Sequence, residues 1–345
     1  MVNDPAFGGA ASNRALNRKE VLSNMLRYIG KRILMLIPII LGISLIILVL
    51  IELTPGDPAV QVMGLTATEE ELESFRIAHG LRDPFIVRYI RFIWNALQGN
   101  LGESYRNYRP VLDEILERFP YTVTLAVLSM LLSVVIGIPI GIVAAINQYS
   151  WKDNAAIILS LFCVSLPAFW FSLVLVQIFN VKLGWLPGSG ITSWKGWILP
   201  TVGMALGFIA TIARQTRSNM LEVIRQDFVT TVRAKGQKES VVIFHHALKN
   251  AIIPVIAVVG SQFGASLGGA MVSEVIFSIP GTGQYLLSAL QNRDYPVIQG
   301  GVLFLSIVFS LVILLIDIIY AIVDPRIRSQ YGGKRRRRKE AASNG

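Results

Sequence analysis

The stretch YTVTLAVLSMLLSVVIGIPIGIVAAI, residues Tyr121–Ile146, contains no acidic, basic or histidine side chain. A helix that crosses the hydrocarbon core of a bilayer needs about 20 mostly apolar residues. The stretch therefore predicts a membrane span. Five further charge-free runs lie on either side of it: 33–51, 155–181, 197–213, 251–273 and 297–316. Only 16% of the residues are charged, against roughly 25% in soluble domains, which agrees with a membrane protein.

The six runs predict an all-α polytopic membrane protein with six transmembrane helices. The first run follows mostly polar residues and is too long for the apolar region of a signal peptide, so we interpret it as a retained span. The sixth run is expected to continue to Val323, with Asp317 inside it. The predicted parts are an N-terminal segment 1–32, a first transmembrane helix 33–53, a loop 54–120, a core of five helices 121–323 and a basic tail 324–345.

The distribution of Lys and Arg predicts the orientation in the membrane. The side that carries both termini and the 147–154 and 214–250 connections holds 22 of these residues, and the opposite side holds 10. Because basic residues collect in cytoplasmic loops, both termini and the 214–250 loop are expected in the cytoplasm. The 54–120 loop is then extracytoplasmic.

The 54–120 loop is too long for a simple tether and predicts helices of its own. One is TEEELESFRIAHGL, 68–81, with acids in its first turn. A second begins after Asp83, which is expected to cap it, and Pro84, which suits the first helical position. The side chains Ile86, Ile90, Ile93 and Leu97 share one face of this helix. That face either packs on the mouth of the helix bundle or lies in the membrane interface, and a loop that binds no ligand is equally compatible with the sequence.

The 214–250 loop contains VRAKGQKESVVIFHHALKNAIIP, Val232–Pro254. Apolar residues repeat at helical spacing on both sides of Gly236, a residue suited to a tight turn. The loop therefore predicts two short amphipathic helices joined at Gly236. The repeating residues are Leu221, Ile224 and Phe228 before the glycine, and Val241, Phe244 and Leu248 after it. The apolar face requires lipid, internal packing or a groove in another protein, and periodicity alone does not choose among them.

The same segment resembles the cytoplasmic coupling loop of permease subunits of binding-protein-dependent ABC importers. Gly236, His246, Leu248, Asn250 and Pro254 match its pattern. Other stretches resemble the first permease subunit of the dipeptide, oligopeptide and nickel branch: RYIGKRILMLIP, TPGDPA, GNLGESYRNYRPVLDEILERFPYT, SLPAFW, SEVIFSIPGTGQ, RDYPVIQG and DPRIR. The sequence departs from the family where the coupling loop usually has Glu–Ala–Ala, since it has Thr230, Thr231 and Val232.

The resemblance implies the fold of a type I ABC importer permease that forms half of a translocation pathway, with peptides as the commonest solute and nickel chelates or oligosaccharides as alternatives. It implies a second homologous permease subunit, two ABC ATPase subunits and an extracytoplasmic solute-binding protein as partners. The coupling residues expected to contact the ATPase are Arg233, Ala234, Lys235, Gly236, Gln237, Lys238 and Glu239. Val241 and Phe244 are expected to support the loop, and His246 is counted among the coupling residues. ATP and Mg²⁺ are expected on the ATPase subunits, because this sequence has no phosphate-binding G-x-x-x-x-G-K-[ST] motif. No cofactor is expected in this chain.

Three acids within or beside the spans are candidates for a pathway or gating role: Asp317, Glu274 and Glu52. Acids inside a membrane are functional candidates by default. An ion-coupled secondary transporter remains the alternative class, but such proteins usually carry several ionisable residues near the midplane. A membrane enzyme would need nucleophile, acid or metal-ligand sets that the spans lack. One cysteine and three histidines predict no metal site. The basic run 334–339 of the tail either contacts anionic membrane lipid or only enforces the orientation, and no nucleic acid partner is expected.

Overall fold

The computed structural model of the protein describes residue 30 and residues 32–323. Most of the predicted N-terminal segment and the whole predicted tail 324–345 lie outside this part. The described chain is helical, with one isolated bridge between Glu103 and Pro110. Its helices are α1 (Arg32–Leu53), α2 (Pro58–Met63), α3 (Glu69–Ala78), α4 (Phe85–Leu97), α5 (Val111–Ile146), α6 (Trp151–Ser165), α7 (Ala168–Leu175), α8 (Ile198–Ile224), α9 (Asp227–Ala234), α10 (Glu239–Val241), α11 (Leu248–Ile276), α12 (Thr282–Asn292) and α13 (Tyr295–Val323).

The predicted third span is a broken helix. α6 and α7, which continues through a π-helical turn to Lys182, meet at an angle of 96°. The break falls at Leu166, which is extended (φ −79°, ψ 127°), immediately before Pro167. A proline ring disfavours the helical conformation of the residue before it, which explains the break. Five single helices of the described chain are long and apolar enough to span, and the number reaches the predicted six if the bent α6–α7 pair is one span.

The longest helix, α5, lies at the centre of the bundle and packs closely on α8. A Cβ atom at Gly141 would lie 2.5 Å from the carbonyl oxygen of Ala213, so only glycine permits this approach. α5 also begins ten residues before the predicted span, because Val111 to Pro120 continue the helix out of the apolar run. With 36 residues it is about 54 Å long at the standard helical rise, and its two ends mark opposite ends of the bundle.

The connection between α1 and α5, which we call the 54–110 loop, packs at the Val111 end of α5. Its predicted helix over 68–81 is confirmed as α3, which starts with a capping box between Thr68 and Glu71. The predicted cap of α4 is wrong. Pro84 occupies the N-cap, and the Asp83 carboxylate instead pairs with Arg91 at 2.6 Å.

One distant segment, residues 293–294, contacts the 54–110 loop at two places. The buried Asp294 carboxylate accepts hydrogen bonds from the Ser104 hydroxyl at 2.6 Å and from the Tyr105 backbone N–H at 3.1 Å. The guanidinium group of the adjacent residue Arg293 lies directly over Gly56, where it would collide with a Cβ atom. The stretches TPGDPA, GNLGESYRNYRP and RDYPVIQG thus meet at one end of the molecule.

Candidate functional site

The connection between α8 and α11, residues 225–247, forms a compact projection at the Ile146 end of α5. We call it the Gly236 loop. α9 leads into a turn and the chain then reverses into α10. Gly236 adopts a φ of +75° in this turn, a conformation that side chains with a Cβ atom rarely adopt. The space around its Cα is open. The backbone conformation, and not crowding, therefore favours glycine here.

The tip of the Gly236 loop is polar and exposed. Every residue from Arg233 to Ser240 is solvent-exposed. The Arg233 guanidinium donates two hydrogen bonds to the Glu239 carboxylate, at 2.6 and 3.1 Å, and so closes the turn around Gly236. These bonds raise the pKa of Arg233 further above its usual range. The tip thus presents the predicted contact residues together on one surface.

The underside of the Gly236 loop is apolar and packed. Its buried side chains contact α5 and α8 in one cluster, formed by Ile142, Ala145, Met220, Val223, Val229, Val242, Ile243, Ala247 and Ala251. An exposed polar tip on a buried apolar base makes the loop a solid extension of three long helices. The base of the loop thus shares one packed cluster with α5, α8 and α11.

The register of the second half of the loop differs from the prediction. Val242 and Ile243 point into the cluster, whereas Phe244 is 58% exposed and Val241 is only partly covered. The cause is a π-helical turn over Val242–Ala247, which has more residues per turn than an α-helix and shifts the buried face. Support of the loop comes from Val242 and Ile243, and Phe244 lies on the outside.

The two histidines of the loop lie beside the exposed phenylalanine. The rings of His245 and His246 meet edge to face with centroids 5.1 Å apart. The backbone carbonyl of His246, one of the predicted coupling residues, accepts a hydrogen bond from the Asn250 side chain at 2.9 Å. His246 is partly buried and His245 is exposed. The predicted coupling residues thus fall into an exposed tip and an adjoining aromatic flank.

The three candidate pathway acids do not come together. Glu52 forms an ion pair with Arg88 of α4, and Asp317 forms one with Arg32 at 2.9 Å, joining the ends of α13 and α1. Glu274 is fully buried. Each acid has a protein partner on a different element, so a role for any of them in the pathway stays a prediction.

The Glu274 carboxylate organises the turn between α11 and α12. It accepts hydrogen bonds from the Thr122 hydroxyl at 2.6 Å and from the Gln284 backbone N–H at 2.8 Å. A Cβ atom at Gly281 would lie 2.2 Å from its carboxyl carbon. The glycines of SIPGTGQ therefore allow the backbone to fold around a buried carboxylate.

Comparisons with known proteins identify the family. The model described as "Binding-protein-dependent transport system inner membrane component" matches residues 137–329, and its N-terminal companion, "Binding-prot-dependent transport system membrane comp, N-term", matches residues 25–126. The chain belongs to this permease family. It is a multi-pass membrane subunit of an ABC importer, as the sequence stretches predicted.

The permease is similar to transport permeases of two named kinds. It is 40% identical over 304 residues to the glutathione transport system permease protein GsiC of Escherichia coli O6:H1, covering 88% of this chain and 99% of the relative. It is also 40% identical over 332 residues to the dipeptide transport system permease protein DppB of Alkalihalophilus pseudofirmus, covering 88% and 100%. A chain of the MetNI methionine ABC transporter aligns with a TM-score of 0.50 at 18% identity, over 61% of the permease and 96% of that chain, which shows a shared fold.

Sequence reasoning missed a buried ion pair at the Gly236 end of the permease. Arg217 of α8 donates to the Asp153 carboxylate of α6, with 2.7 Å between Nη2 and Oδ2. The Asp153 side chain is 1% exposed and also accepts a hydrogen bond from the Tyr149 backbone N–H at 3.0 Å. The only sequence signal for this pair was that each charged residue lies beside an apolar run. Because 64 positions separate the two residues, no local pattern indicated that they meet.

Metal binding has no support in the described part of the permease. Residues 32–323 contain no group of three or more His, Cys, Asp or Glu side chains arranged to hold a metal ion. Cys163 is a free thiol in α6.

Proposed function

We propose that the permease forms half of the translocation pathway of an ATP-driven importer and that the Gly236 loop couples it to separate ATPase subunits. The observation that carries this proposal is the build of the loop: an exposed tip and aromatic flank on a rigid apolar base continuous with α8 and α11. A groove in an ATPase subunit would hold the tip. Closure of the ATPase pair on ATP would then move α8 and α11 as rigid bodies.

The proposed complex contains a second, homologous permease subunit, two ABC ATPase subunits that bind ATP and Mg²⁺, and an extracytoplasmic solute-binding protein. In this arrangement both termini and the Gly236 loop face the cytoplasm, and the 54–110 loop faces outward, where the binding protein docks. The excess of Lys and Arg on the termini side supports this orientation. The hydrolytic site belongs to the ATPase subunits, since the chain lacks a phosphate-binding loop.

The proposed solute is a short peptide. Support comes from the names of the relatives, since a dipeptide and glutathione are both small peptides. Import of a nickel chelate or an oligosaccharide by the same machinery is the second candidate. Mass spectrometry of the solute that co-purifies with the cognate binding protein tests this assignment alone. A peptide is expected, and a sugar or a metal chelate would overturn the solute without affecting the coupling proposal.

The coupling proposal is tested by two substitutions at Gly236 in the complete complex reconstituted in proteoliposomes. Gly236→Val places a β-branched residue at positive φ, which costs about 1–2 kcal/mol and distorts the tip. Gly236→Asn is the matched control, because asparagine tolerates this conformation. We expect solute uptake per ATP hydrolysed to fall about tenfold or more for valine and to stay near wild type for asparagine.

Membrane insertion and subunit composition are measured for both variants, so that a loss of assembly is not mistaken for a loss of coupling. Wild-type uptake per ATP by an assembled Gly236→Val complex would contradict the proposal. Cross-linking from a cysteine at Phe244 supplies an independent readout. It is expected to capture a nucleotide-binding subunit, and its capture by lipid or by the solute-binding protein would place the loop elsewhere.

A further inference from the structure

The helix α4 of the 54–110 loop has two distinct faces. One face packs on the protein, where Phe92 and Ala96 join the apolar cluster around Ile51. The opposite face is apolar and uncovered: Ile86 is 67% exposed, Ile90 61%, Trp94 65% and Leu97 77%. These residues repeat every three to four positions along the helix, so they form one continuous stripe.

The neighbouring helix α3 shows that this stripe is not a general property of the loop. Three of the six exposed positions of α3 are glutamates, all in its first turn (Glu69, Glu70 and Glu71), and Ile77 is its one large exposed apolar side chain. Both helices belong to one loop, yet one presents carboxylates to its surroundings and the other presents large apolar side chains. A continuous apolar stripe is thus present on α4 and not on α3.

The position of α4 along the axis of the membrane-spanning α1 follows from the contacts between the two helices. Arg88 pairs with Glu52, one residue from the end of α1 at Leu53. The adjacent Tyr89 hydroxyl reaches much further along α1, since it donates to the carbonyl oxygen of Leu41 at 2.9 Å and lies 3.1 Å from the Ser44 hydroxyl. Eleven residues of helix between Leu41 and Glu52 span about 16 Å.

α4 must lie between these two contacts and thus below the Leu53 end of α1. At this height α1 is itself uncovered, with Ile46 60% and Leu50 53% exposed. A membrane-spanning helix with uncovered apolar residues faces lipid. Through the contacts of Arg88 and Tyr89, α4 lies alongside this uncovered part of α1.

We propose that α4 is an interfacial helix whose apolar stripe is inserted into the lipid leaflet at the Leu53 end of α1. Helices of this kind bury an apolar face about 5–10 Å into the boundary between headgroups and acyl chains. Arg91 is exposed at the edge of the stripe, where it meets the headgroup layer. The ion pair and the Tyr89 bonds hold α4 at this depth. The occupant of the stripe is lipid, and this inference is independent of the ATPase and of the solute.

The test is site-directed spin labelling of the full complex in phosphatidylcholine–phosphatidylglycerol nanodiscs. Single cysteines are placed at Ile90 and, one turn away, at Ile86, in a Cys163→Ala background that removes the only native thiol. Glu70→Cys on α3 is the matched control for an exposed site on the same loop. Collision rates with oxygen, which concentrates in lipid, are compared with those of a water-soluble nickel chelate.

Labels at Ile86 and Ile90 are expected to collide several-fold more with oxygen than with the chelate, and the label at Glu70 is expected to show the reverse. Chelate-dominated collisions at both α4 sites would place the stripe in water and overturn the proposal. Low collision rates with both reagents would show that a second protein, and not lipid, covers α4. The two α4 sites are independent, so the failure of one variant to assemble leaves the result decided by the other.

Discussion

The two loops at opposite ends of the permease are built on different principles. The 54–110 loop adds directional polar contacts to its apolar packing around Phe75 and Ile51. The single side chain of Arg76 in this loop forms ion pairs with three acids, Asp57, Glu69 and Glu73. The buried Asp294 carboxylate joins the loop to the bundle. The Gly236 loop rests on an apolar base, with one ion pair across its own tip.

The difference matches the tasks we propose for the two ends. Directional bonds fix one geometry, which suits a platform that must present a constant surface to a docking protein. An apolar base transmits a push without specifying every contact, which suits a lever between an ATPase and the helices α8 and α11. The comparison predicts that truncation of an apolar side chain destabilises the Gly236 loop most, and that removal of a carboxylate destabilises the 54–110 loop most.

The largest effect on stability is expected from Ile243→Ala in the Gly236 loop. Ile243 is 3% exposed within the cluster beneath the tip, and truncation of a buried isoleucine to alanine costs about 2–5 kcal/mol. The adjacent Phe244→Ala is the matched control, because the phenylalanine is 58% exposed. Hydrogen–deuterium exchange in α9 should accelerate strongly for the first variant and little for the second.

The same two variants distinguish a residue that supports the Gly236 loop from one that contacts the ATPase subunits. Phe244→Ala is expected to weaken retention of the ATPase subunits during purification while leaving exchange in α9 unchanged. If Phe244→Ala destabilised the loop and Ile243→Ala did not, the α-helical register would be correct and the π-helical turn would be wrong.

These two residues also show where sequence analysis ends. Hydropathy located the five single spans and the bent α6–α7 pair, because a bilayer demands long apolar runs whatever their neighbours are. Gly236 was recognisable because few residues besides glycine suit a positive φ. The burial of Ile243 in place of Phe244 was not predictable, since a π-helical turn changes the period on which the prediction of the buried face rests.

The polar contacts that fix the 54–110 loop were equally hidden. Ser104 and Asp294 are 190 positions apart, and no local pattern indicates that they meet. The capping box of α3 was accessible in principle, since Thr68 and Glu71 are three residues apart, whereas Asp83 had the right spacing for a cap and pairs with Arg91 instead. The prediction for Asp83 failed because Arg91 of α4 binds its carboxylate, and the contact of Ser104 was hidden because its partner lies in a distant segment.

A smaller effect is expected from Asp294→Ala, which removes the carboxylate beneath the 54–110 loop. The Ser104 hydroxyl and the Tyr105 N–H would lose their acceptor in a buried site, at a cost of about 2 kcal/mol. That corresponds to roughly thirtyfold faster exchange of the Tyr105 amide. Asp294→Asn keeps one carbonyl acceptor and should give an intermediate rate.

The Gly236 loop is the internal control for Asp294→Ala, because the substitution lies at the other end of α5. Exchange in α9 should stay at the wild-type rate. Equal acceleration in both loops would mean that the polar anchor stabilises the whole bundle, and the distinction between the two ends would be lost.

The smallest effect is expected from Glu73 of α3, and it appears only in acid. Hydrogen bonds from Arg82 and then Arg76 lower the pKa of Glu73 to about 2. A carboxylate whose pKa is depressed on folding stabilises the fold above its unfolded pKa, here near 4.5, and loses that contribution as the pH falls toward 2. The wild-type loop should therefore become easier to cleave as the pH falls from 4.5 to 2.

The Glu73→Gln variant should be cleaved faster than wild type at pH 4.5, and the two cleavage rates should converge near pH 2. Pepsin, which works in this range, measures both rates at each pH, and Glu70→Gln controls for the loss of one exposed acid on α3. If the ratio of the Glu73→Gln cleavage rate to the wild-type rate stayed constant between pH 4.5 and 2, the ion pairs around Arg76 would not be what stabilises the 54–110 loop.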